Sequence, residues 1–467
     1  MTVIAFDQNK HQFDVSIPLV IIGAGACGLV AALAAKELGI ELVVLERDST
    51  PRGSTHMSSG FIPAANTRFQ KAAGIQDSPD IMFDDIQRKN HNEADPGIVR
   101  ELTEQSGRVI EWLADKHHIP FELVQGFLYP GHSKMRMHCT PRRTGEELMG
   151  SLLNAAAEAG IDILTNAQVT SLYVDEKSYI RSVTYQQPDG DIETIACDAL
   201  ILACNGYGGN KELVNKYMPQ MNDALYFGHE GNQGDAIIWG EQLGASLKDL
   251  SAYQGHGSLA DPPQTLISWA VMMQGGVQIN TQGERFANEN LGYSEAAAKV
   301  LAQPTGYVFN IYDERIHQEM LAFEDYQNAL TTKSVKTFAS LEALADGLGL
   351  DIDQLTETFS VISESGERAE PDPFGRTFLP EHKLTPPYYA IKVTGALFHT
   401  QGGLEINTEG RVLTQQGEAM PNLFAAGGAA RGVSGSNDTG YLSGNGLLHA
   451  VVFGAIAGEH AAKQLND

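Results

Sequence analysis

The chain has 467 residues, of which 42% are hydrophobic and 19% are charged, and its formal net charge is −26. This length suits two or three domains with a large core, and the composition is that of an ordinary globular protein. The acidic balance argues against nucleic acid or an anionic membrane surface as a partner.

Two further features favour a cytoplasmic protein with no membrane span. The first residues, MTVIAFDQNK, lack a basic segment followed by an apolar one, so no export signal is expected. The chain also lacks the run of about 18 apolar residues that a spanning helix needs. The four cysteines are scattered without a CxxC pattern, which predicts reduced structural residues rather than an iron–sulfur cluster or a covalent haem.

The first strongly patterned stretch is 19–46, LVIIGAGACGLVAALAAKELGIELVVLE, which predicts a strand, a glycine turn, a helix and a second strand. Gly23 permits the tight turn, Gly25 allows a backbone approach to a pyrophosphate, and Gly28 allows the helix to pack closely on the strand. The helix N-terminus would face the phosphate charge, and Glu46 would accept hydrogen bonds from a ribose. This stretch therefore predicts a dinucleotide-binding site.

The middle of the chain predicts alternating loops, helices and strands. A loop rich in Ser, Thr and Gly follows at 47–67 and is too long for a simple connector. Helices are predicted within 78–117 and over EELMGSLLNAAAEAG, and strands around ILTNAQVTSLYVD and IRSVTYQQPDGDIETIACDALILAC. After a second glycine turn in CNGYGGN, another helix opens at Asp235.

The domain boundaries are predicted from a change of pattern. From about residue 236 to 372 the chain becomes an α+β mixture, with a strand pair around GGVQINTQGERFANE and helices around SLEALADGLGL and DIDQLTETFSVISESG. The remainder carries strands near YYAIKVTGALFHT and LFAAGG and ends in a glycine-studded helix. We predict an α/β fold in which a Rossmann-type nucleotide-binding domain, 1–235 and 373–467, carries an inserted α+β capping domain, 236–372.

The glycine turn belongs to a wider set of motifs: GAGACG with Glu46, GSTHMSSGFIPA, LILACNGYG, GERFANE, FHTQGGLEINTEGRV, and LFAAGGAA followed by SGNGLLHAVVFGAIAG. Together they resemble the flavoprotein superfamily of fumarate reductases and 3-ketosteroid Δ1-dehydrogenases, and they span most of the chain in the family's order. The resemblance implies FAD, and a capping domain that helps an oxidoreductase act on a C–C bond beside a carbonyl.

The same resemblance implies the cofactor contacts. In that family the Ser/Thr-rich loop lies along the pyrophosphate and flavin, and the C-terminal Gly-Asn-Gly places a helix N-terminus at the flavin pyrimidine edge. The histidine that attaches FAD covalently in some members aligns with Ser54, so non-covalent FAD is implied. The implied cofactor-binding residues are Gly23, Gly25, Ala26, Gly28, Glu46, Ser54, Thr55, Ser58, Ser59, Gly60, Val169, Asn205, Gly206, Asp235, Gly427, Gly444, Asn445, Gly446 and Leu447.

The branches of the family differ at the catalytic positions. The fumarate reductase branch donates a proton from an arginine after RFxNE, through an upstream Glu/Arg relay, and holds the substrate carboxylates with another arginine and two histidines. In this chain Tyr293 and Tyr441 take the two arginine positions, and the relay positions fall on Trp269 and Met272. Tyrosines at the arginine positions are typical of the ketosteroid dehydrogenase branch.

The resemblance therefore implies an α,β-dehydrogenase of a cyclic ketone, either of cyclohexanone or of 3-ketosteroid type. Tyr441 would polarise the carbonyl, and Tyr293 would remove the α-proton while hydride passes to flavin N5. Because an ordinary tyrosine is a poor base at neutral pH, a partner is expected among His256, His399 and Tyr129.

Two alternatives remain open at this level. A reductase of a conjugated carboxylic acid, such as fumarate or urocanate, is favoured by the retained His256 and His399 and opposed by the missing arginines. A non-catalytic flavin-binding or redox-sensing protein is the other. Arg285 in GERFANE is expected to be structural. Since the chain carries a single dinucleotide motif, we expect an external electron acceptor, namely a quinone, another flavoprotein or oxygen.

Overall fold

The computed structural model describes residues 1–7, 11, 13, 15–126, 128–437 and 439–467. They form two compact units. The first consists of Met1–Met218, Gly228–Tyr253 and His399–Asp467, and the second of Pro219–Phe227 and Gln254–Phe398. In the described ranges no helix joins enough length with enough apolarity to cross a bilayer.

A largely parallel sheet forms the centre of the first unit. In spatial order its strands are Arg411–Leu413, Ala419–Ala425, Ala199–Leu202, Leu19–Ile22, Leu42–Leu45 and Asp162–Leu164, of which Arg411–Leu413 runs antiparallel. Leu19–Ile22 and Leu42–Leu45 are apolar and buried along their whole length, as expected for parallel strands covered on both faces. The carboxyl end of Leu19–Ile22 leads directly into the glycine turn.

Helices and smaller sheets surround this centre. The helices are Ala26–Glu37, Gly53–Met57, Arg68–Ala72, Pro79–Lys89, Pro96–Lys116, Gly145–Glu158, Lys211–Tyr217, Asp235–Leu243 and Asn445–Asn466, with a 3-10 turn at Gly427–Ala429. A second sheet contains Thr2–Ala5, Gln168–Val174, Ile180–Gln186, Ile192–Ala196 and Val15–Ser16, in that spatial order. The short strands are Ile62–Pro63, Met137–Cys139 and Glu122–Leu123 in one sheet, and Leu247–Lys248 with Gly403–Leu404 in another.

The helices Ala26–Glu37 and Asn445–Asn466 approach each other at backbone distance. A Cβ atom at Gly458 would lie 2.2 Å from the Ala31 carbonyl oxygen, and one at Gly454 would lie 2.6 Å from that of Cys27. Neither contact is sterically possible, so each glycine is required for the helices to pack this closely. The glycines of the C-terminal helix thereby fix the position of the helix that follows the glycine turn.

We expect Gly458→Ala to destabilise the first unit by about 1 to 3 kcal/mol, because the added methyl group forces the two helix backbones apart. The midpoint of urea unfolding, followed by circular dichroism, measures this. Gly150→Ala is the matched control, because Gly150 lies within a helix and an added Cβ meets nothing within 4 Å. The control should gain about 0.5 to 1 kcal/mol, and equal midpoints for both variants would contradict the packing argument.

The second unit is an α+β layer. Its sheet contains, in spatial order, Thr265–Leu266, Tyr253–Ala260, Tyr388–Thr400, Tyr307–Asp313 and Val277–Ile279, and Leu225–Tyr226 and Val335–Phe338 also pair with Tyr388–Thr400. Its helices are Ala270–Met273, Tyr293–Leu301, Glu314–Met320, Glu324–Thr331, Leu341–Leu348 and Ile352–Arg368, with 3-10 turns at Pro219–Met221, Glu289–Leu291 and Pro380–His382.

The limits of this unit differ from the predicted insertion, 236–372. The helix Asp235–Leu243 lies in the first unit. The strand Tyr388–Thr400, whose sequence we assigned to the nucleotide-binding domain, instead pairs antiparallel with Tyr307–Asp313, from Tyr388 opposite Asp313 to Thr394 opposite Tyr307. This boundary depends on which distant strands pair with each other. The change of residue pattern along the sequence carries no information about that pairing.

The strand pair predicted around GGVQINTQGERFANE is wrong. Val277–Ile279 is a strand, but its partner is Tyr307–Asp313. The backbone turns after the strand, where Asn280 N donates to Glu284 O at 2.9 Å, and Glu289–Leu291 forms a 3-10 turn. The GERFANE segment forms no second strand, and its Arg285 and Glu289 side chains enter a buried ion cluster.

Candidate active site

The glycine turn adopts a conformation that its three glycines make possible. Gly23 has a φ of +106°, and a Cβ there would lie 2.6 Å from the Ala203 carbonyl oxygen. A Cβ at Gly28 would lie 1.9 Å from the Gly23 carbonyl oxygen. Gly25 differs, because a Cβ there would meet only Thr55 Oγ1, at 3.6 Å. Gly23 and Gly28 therefore shape the turn, whereas Gly25 leaves space in front of it.

Side chains from two other segments hold this turn. Glu46 Oε2 accepts from Ala24 N at 2.9 Å, and Glu46 Oε1 accepts from Asp48 N at 3.0 Å. Thr55 Oγ1 accepts from Ala26 N at 3.1 Å, at the first turn of the helix Ala26–Glu37. A carboxylate beside a helix N-terminus is stabilised by the helix dipole. The predicted ribose ligand thus also fixes the end of its strand against the turn.

The Ser54 hydroxyl is the centre of a polar cluster in the first unit. Its oxygen lies 3.2 Å from Asn205 Nδ2, 2.9 Å from Asn232 Nδ2 and 3.4 Å from His229 N. Asn205 adopts a φ of +64° at the second glycine turn. The sequence reasoning missed Asn232, although its position two residues before the helix-opening Gly234 marks a loop that supplies polar groups.

The rest of the Ser/Thr-rich loop is stabilised internally. Ser58 Oγ donates to Thr55 O at 2.7 Å and accepts from Gly60 N at 3.1 Å. A Cβ at Gly60, where φ is +71°, would lie 2.9 Å from the Thr144 carbonyl oxygen. Ser59 is half-buried between them. These contacts hold the loop beside the start of the helix Gly145–Glu158.

Four further predicted cofactor residues lie in the first unit, at element ends or beside the cluster. Val169 is buried near the start of the strand Gln168–Val174, two residues after Ala167, whose N–H donates to Glu46 O at 2.8 Å. Asp235 opens its helix, and burial raises the pKa of its carboxyl. A Cβ at Gly206 would clash with Thr400 Oγ1 at 1.9 Å. A Cβ at Gly427, where φ is +60°, would lie 3.3 Å from the sulfur of Cys27.

The start of the helix Asn445–Asn466 contains a buried amide that suits a polar ligand. Gly444 has a φ of +84°, and a Cβ there would lie 2.5 Å from Pro63. The Asn445 side chain is fully buried, and among the described residues neither its amide nitrogen nor its oxygen has a hydrogen-bond partner. An unpaired buried amide costs about 1 to 3 kcal/mol, so a polar group of FAD fits here. Leu447 is half-buried in the same turn.

We expect Gly25→Ala to weaken FAD binding while leaving the fold intact. The added methyl group has room within the protein but occupies the space in front of the turn, where the pyrophosphate is predicted. Flavin absorbance per chain after gel filtration measures the loss, and circular dichroism of the flavin-free protein checks the fold. Full flavin content in Gly25→Ala would remove Gly25 from the cofactor contacts.

Tyr441 and His399 form a pair within the first unit. Their rings meet edge to face with centroids 5.7 Å apart, and Tyr441 is 5% exposed. A Cβ at Gly446 would lie 2.5 Å from Cε1 and 2.7 Å from Nε2 of His399, so the imidazole edge lies against the start of the helix Asn445–Asn466. Burial lowers the pKa of His399 to about 4, which leaves the ring neutral at ordinary pH.

Tyr293 and His256 form a second pair, within the second unit. The imidazole stacks on Tyr293 with centroids 4.8 Å apart and on Phe398 at 5.4 Å, and it meets Trp269 edge to face at 5.8 Å. Tyr293 is the first residue of the helix Tyr293–Leu301. Burial lowers the pKa of His256 to about 3, and its Nδ1 accepts from Ser258 N at 3.1 Å.

Arg285 lies in the second unit, in a buried cluster with Glu289, Asp372 and Arg376. Its guanidinium donates to Glu289 Oε1 at 3.0 Å and Oε2 at 2.6 Å, and also to Asp372. Arg376 donates to Glu289 Oε2 at 2.9 Å. The two positive and two negative charges balance, which is the condition under which buried charges persist. The geometry favours the structural role predicted for Arg285.

The two predicted relay positions are tied to this cluster. Trp269 Nε1 donates to Glu289 O at 2.9 Å, and the Met272 carbonyl oxygen accepts from Arg376 Nη2 at 2.7 Å. Met272 is fully buried and Trp269 nearly so. Both side chains therefore act as packing within the second unit, and neither carries a group that transfers protons.

We expect Glu289→Gln to lower the free energy of unfolding by about 3 to 5 kcal/mol, because two buried arginines would then share one carboxylate. Burial raises the pKa of Glu289, but the charges of Arg376 and Arg285 outweigh it and hold the pKa at about 2. A depressed folded-state pKa stabilises the protein above the ordinary value of 4.5 and loses that effect as pH falls toward 2.

Urea unfolding at several pH values tests this. The stability of Glu289→Gln should vary less than that of the wild type across that acidic range. The exposed Glu284→Gln, in the same segment, should change the stability by less than about 0.5 kcal/mol. A loss no larger for Glu289→Gln than for Glu284→Gln would show that the cluster does not stabilise the unit.

Tyr129 is one of the predicted partners of Tyr293. It lies in the first unit, edge to face with Phe61 at a centroid distance of 5.7 Å. Burial raises its pKa, so the phenol stays protonated at neutral pH and supplies no phenolate. The basic nitrogen of His256 is likewise engaged by Ser258. His256 is therefore not arranged to take a proton from Tyr293.

The glycine turn, its supporting carboxylate and the two glycine-led helix starts define a nucleotide-binding flavoprotein. A family model described as FAD binding domain matches residues 19–447, so the chain belongs to that family. The predictions of the flavoprotein superfamily, of FAD and of an FAD-dependent oxidoreductase are confirmed. Which reaction it catalyses is a separate question.

Similar proteins come from both branches. The chain is 30% identical over 464 residues to NADH:fumarate oxidoreductase of Klebsiella pneumoniae (strain 342), covering 98% of this chain and 48% of that protein, or about half of its length. An open flavocytochrome c3 fumarate reductase matches with a TM-score of 0.82 and 28% identity, covering 99% of this chain and 82% of that chain.

The 3-ketosteroid-Δ4-(5α)-dehydrogenase of Rhodococcus jostii RHA1 matches with a TM-score of 0.79 and 23% identity, covering 98% of this chain and 99% of that chain. At this identity the likeness shows the fold alone. With the fumarate reductase match it confirms the predicted α/β flavoprotein fold. Sequence similarity to reductases and shape similarity to a dehydrogenase leave the substrate to be argued from the side chains.

Proposed function

We propose that this chain is an FAD-dependent α,β-dehydrogenase of a cyclic ketone, of cyclohexanone or 3-ketosteroid type. The observation that supports it is the charge of the candidate catalytic residues. Tyr293 and Tyr441 are phenols, and burial lowers the pKa of His256 to about 3 and that of His399 to about 4. At neutral pH both imidazoles are uncharged, so they offer hydrogen bonds but no cation.

This charge state suits a neutral substrate. A dicarboxylate moved into a dry pocket without a cation loses several kcal/mol of hydration. A ketone oxygen needs only one or two donors, which stabilise the negative charge that develops on it during enolisation. The buried arginines of the second unit do not alter the comparison, because Glu289 and Asp372 hold both of them.

Each tyrosine has a separate role in the proposal. Tyr441 donates a hydrogen bond to the ketone oxygen and thereby acidifies the neighbouring C–H. Tyr293, as its phenolate, takes the α-proton. FAD, when bound, supplies the hydride-accepting chemistry that removes the β-hydrogen with its electron pair. The substrate thus loses one proton and one hydride and gains a C=C bond.

The contacts of His256 bear on whether it assists Tyr293. His256 stacks on the face of the tyrosine ring. Its unprotonated nitrogen, Nδ1, already accepts a hydrogen bond from Ser258 N. With a pKa of about 3, His256 remains neutral and takes no proton near pH 7. We infer that His256 packs against the Tyr293 ring and does not act as its proton acceptor.

A second candidate function is the reductase of a conjugated carboxylic acid, such as fumarate or urocanate. The 30% identity to NADH:fumarate oxidoreductase and the two retained histidines favour it. The uncharged state of those histidines and the tyrosines at the arginine positions oppose it. An external electron acceptor, namely a quinone, another flavoprotein or oxygen, and a cytoplasmic location belong to the main proposal.

Anaerobic mixing of the FAD-loaded protein with candidate substrates tests the reaction. We expect cyclohexanones or 3-ketosteroids to bleach the oxidised flavin, and the matching enones to restore the colour of the reduced flavin. Reoxidation by fumarate or urocanate alone would overturn the ketone assignment in favour of the reductase. Flavin that responds to none of these compounds would favour the non-catalytic alternative.

Phenylalanine variants test the roles of the tyrosines. Tyr293→Phe should lower kcat by about 100-fold or more, because the base is lost, and Tyr441→Phe should lower it by about 100-fold, because an oxygen-binding donor is lost. Tyr179→Phe, in the turn before the strand Ile180–Gln186, is the matched control and should retain wild-type rates. Near-normal desaturation by Tyr293→Phe would exclude it as the base.

A further inference from the structure

His399 ends a short chain of buried hydrogen bonds in the first unit. Ser434 Oγ donates to Gln401 Oε1 at 2.9 Å, and Gln401 Nε2 lies 2.8 Å from His399 Nδ1. Ser434 is 1% exposed and Gln401 is 6% exposed. Because little water reaches this pair, each polar group depends on its protein partner. In the observed orientation the Ser434 hydroxyl occupies the amide oxygen and leaves the amide NH₂ group for the imidazole.

The orientation of the amide decides the tautomer of His399. With its oxygen bound by Ser434, Gln401 presents its NH₂ group to Nδ1, which must then be the unprotonated nitrogen. The single ring proton of the neutral imidazole therefore sits on Nε2. This is the nitrogen whose edge lies against Gly446, at the start of the helix Asn445–Asn466.

A competing partner is present. The Thr400 carbonyl oxygen lies 3.3 Å from His399 Nδ1 and would accept a proton from it. That arrangement would place the lone pair on Nε2 and turn His399 into an acceptor. The Gln401 contact is shorter by half an ångström and is supported by Ser434, so it prevails while both residues are present.

We propose that Gln401 and Ser434 are positioning residues that hold His399 as a neutral Nε2–H hydrogen-bond donor for the carbonyl oxygen of the substrate. This inference rests on the proposed function for the identity of the substrate oxygen, and it adds the reason why His399 presents a donor. The second histidine follows the same rule by other means, because Ser258 N donates to His256 Nδ1 and also leaves the proton on Nε2.

The surroundings of His399 keep the ring neutral. Besides the Gln401 amide, the ring faces the Tyr441 phenol, the Thr400 carbonyl oxygen and the start of the helix Asn445–Asn466, whose dipole disfavours a cation. Arg431, in the segment that precedes Ser434, is paired with Asp249 at 2.5 Å. We therefore expect that ionisation of His399 does not change kcat of the wild type between about pH 5 and 8.

Nitrogen NMR of the FAD-loaded full chain, with isotope-labelled histidine, reads the tautomer directly. His399→Asn identifies the signals by their disappearance. We expect wild-type His399 to show a protonated Nε2 and an unprotonated Nδ1. In Gln401→Met, which has no amide, the proton should move to Nδ1 and bond to the Thr400 carbonyl. A wild-type ring protonated on Nδ1, or an unchanged tautomer in Gln401→Met, would overturn the proposal.

Kinetics of Gln401→Glu give a second, independent measurement. A carboxylate beside Nδ1 favours the imidazolium, so the variant should keep its Nε2–H donor at low pH. As pH rises through the new His399 pKa, the carboxylate retains Nδ1–H and Nε2 loses its proton. We expect kcat to fall about 100-fold through this limb, as for loss of one oxygen-binding donor. If kcat of Gln401→Glu is lowered equally at every pH, Gln401 has a merely structural role and the proposal is overturned.

One control and one further variant complete the test. Gln416→Met is the control, because it changes an exposed glutamine of the following hairpin and should leave both the tautomer and the rates unchanged. Ser434→Ala should give a mixture of His399 tautomers, because the Gln401 amide is then free to rotate. The tautomer is measured without substrate, so a failure of ketone desaturation would refute the proposed function while the NMR result still decides the roles of Gln401 and Ser434.

Discussion

The close approach of the helices Ala26–Glu37 and Asn445–Asn466 is the constraint on which the first unit depends. It exists because the C-terminal helix carries glycine at 454 and 458, where a Cβ would overlap the backbone of the partner helix. Each helix begins at a glycine-led turn, one at Gly25 and the other at Gly444. Packing the two helices at backbone distance therefore joins the predicted pyrophosphate and flavin contacts from opposite ends of the chain in one rigid framework.

Charge separates the structural groups of this protein from the groups assigned to chemistry. In the second unit the charge of Arg285 is paired within a balanced ion cluster. The two tyrosine–histidine pairs, in contrast, are uncharged and aromatic. This distribution supports the proposal of a neutral substrate for a chain that resembles fumarate reductases in sequence. An overall resemblance indicates the fold and the cofactor, whereas the substrate has to be argued from the individual side chains of the site.

The features predictable from sequence are those that local pattern controls. The strand, turn, helix and strand of 19–46 lie where the periodicity places them, with helix Ala26–Glu37 between strands Leu19–Ile22 and Leu42–Leu45. The limits of the second unit and the partner of Val277–Ile279 were not predictable in this way. Both depend on pairing with Tyr307–Asp313, and an isolated apolar run carries no information about which strand it will join.

The sequence by itself determined the cofactor and the residue types at the proposed catalytic positions. The glycines at 23, 25 and 28 and the two tyrosines are covalent features of the chain, so they can be read before it folds. Only the tertiary structure decided the states of the ionisable groups. The neutral form of His399 depends on burial, and the tautomer that we propose depends on Gln401 and on Ser434, a residue distant in sequence. Protonation depends on which atoms surround a group, and folding brings those atoms together from separate parts of the chain.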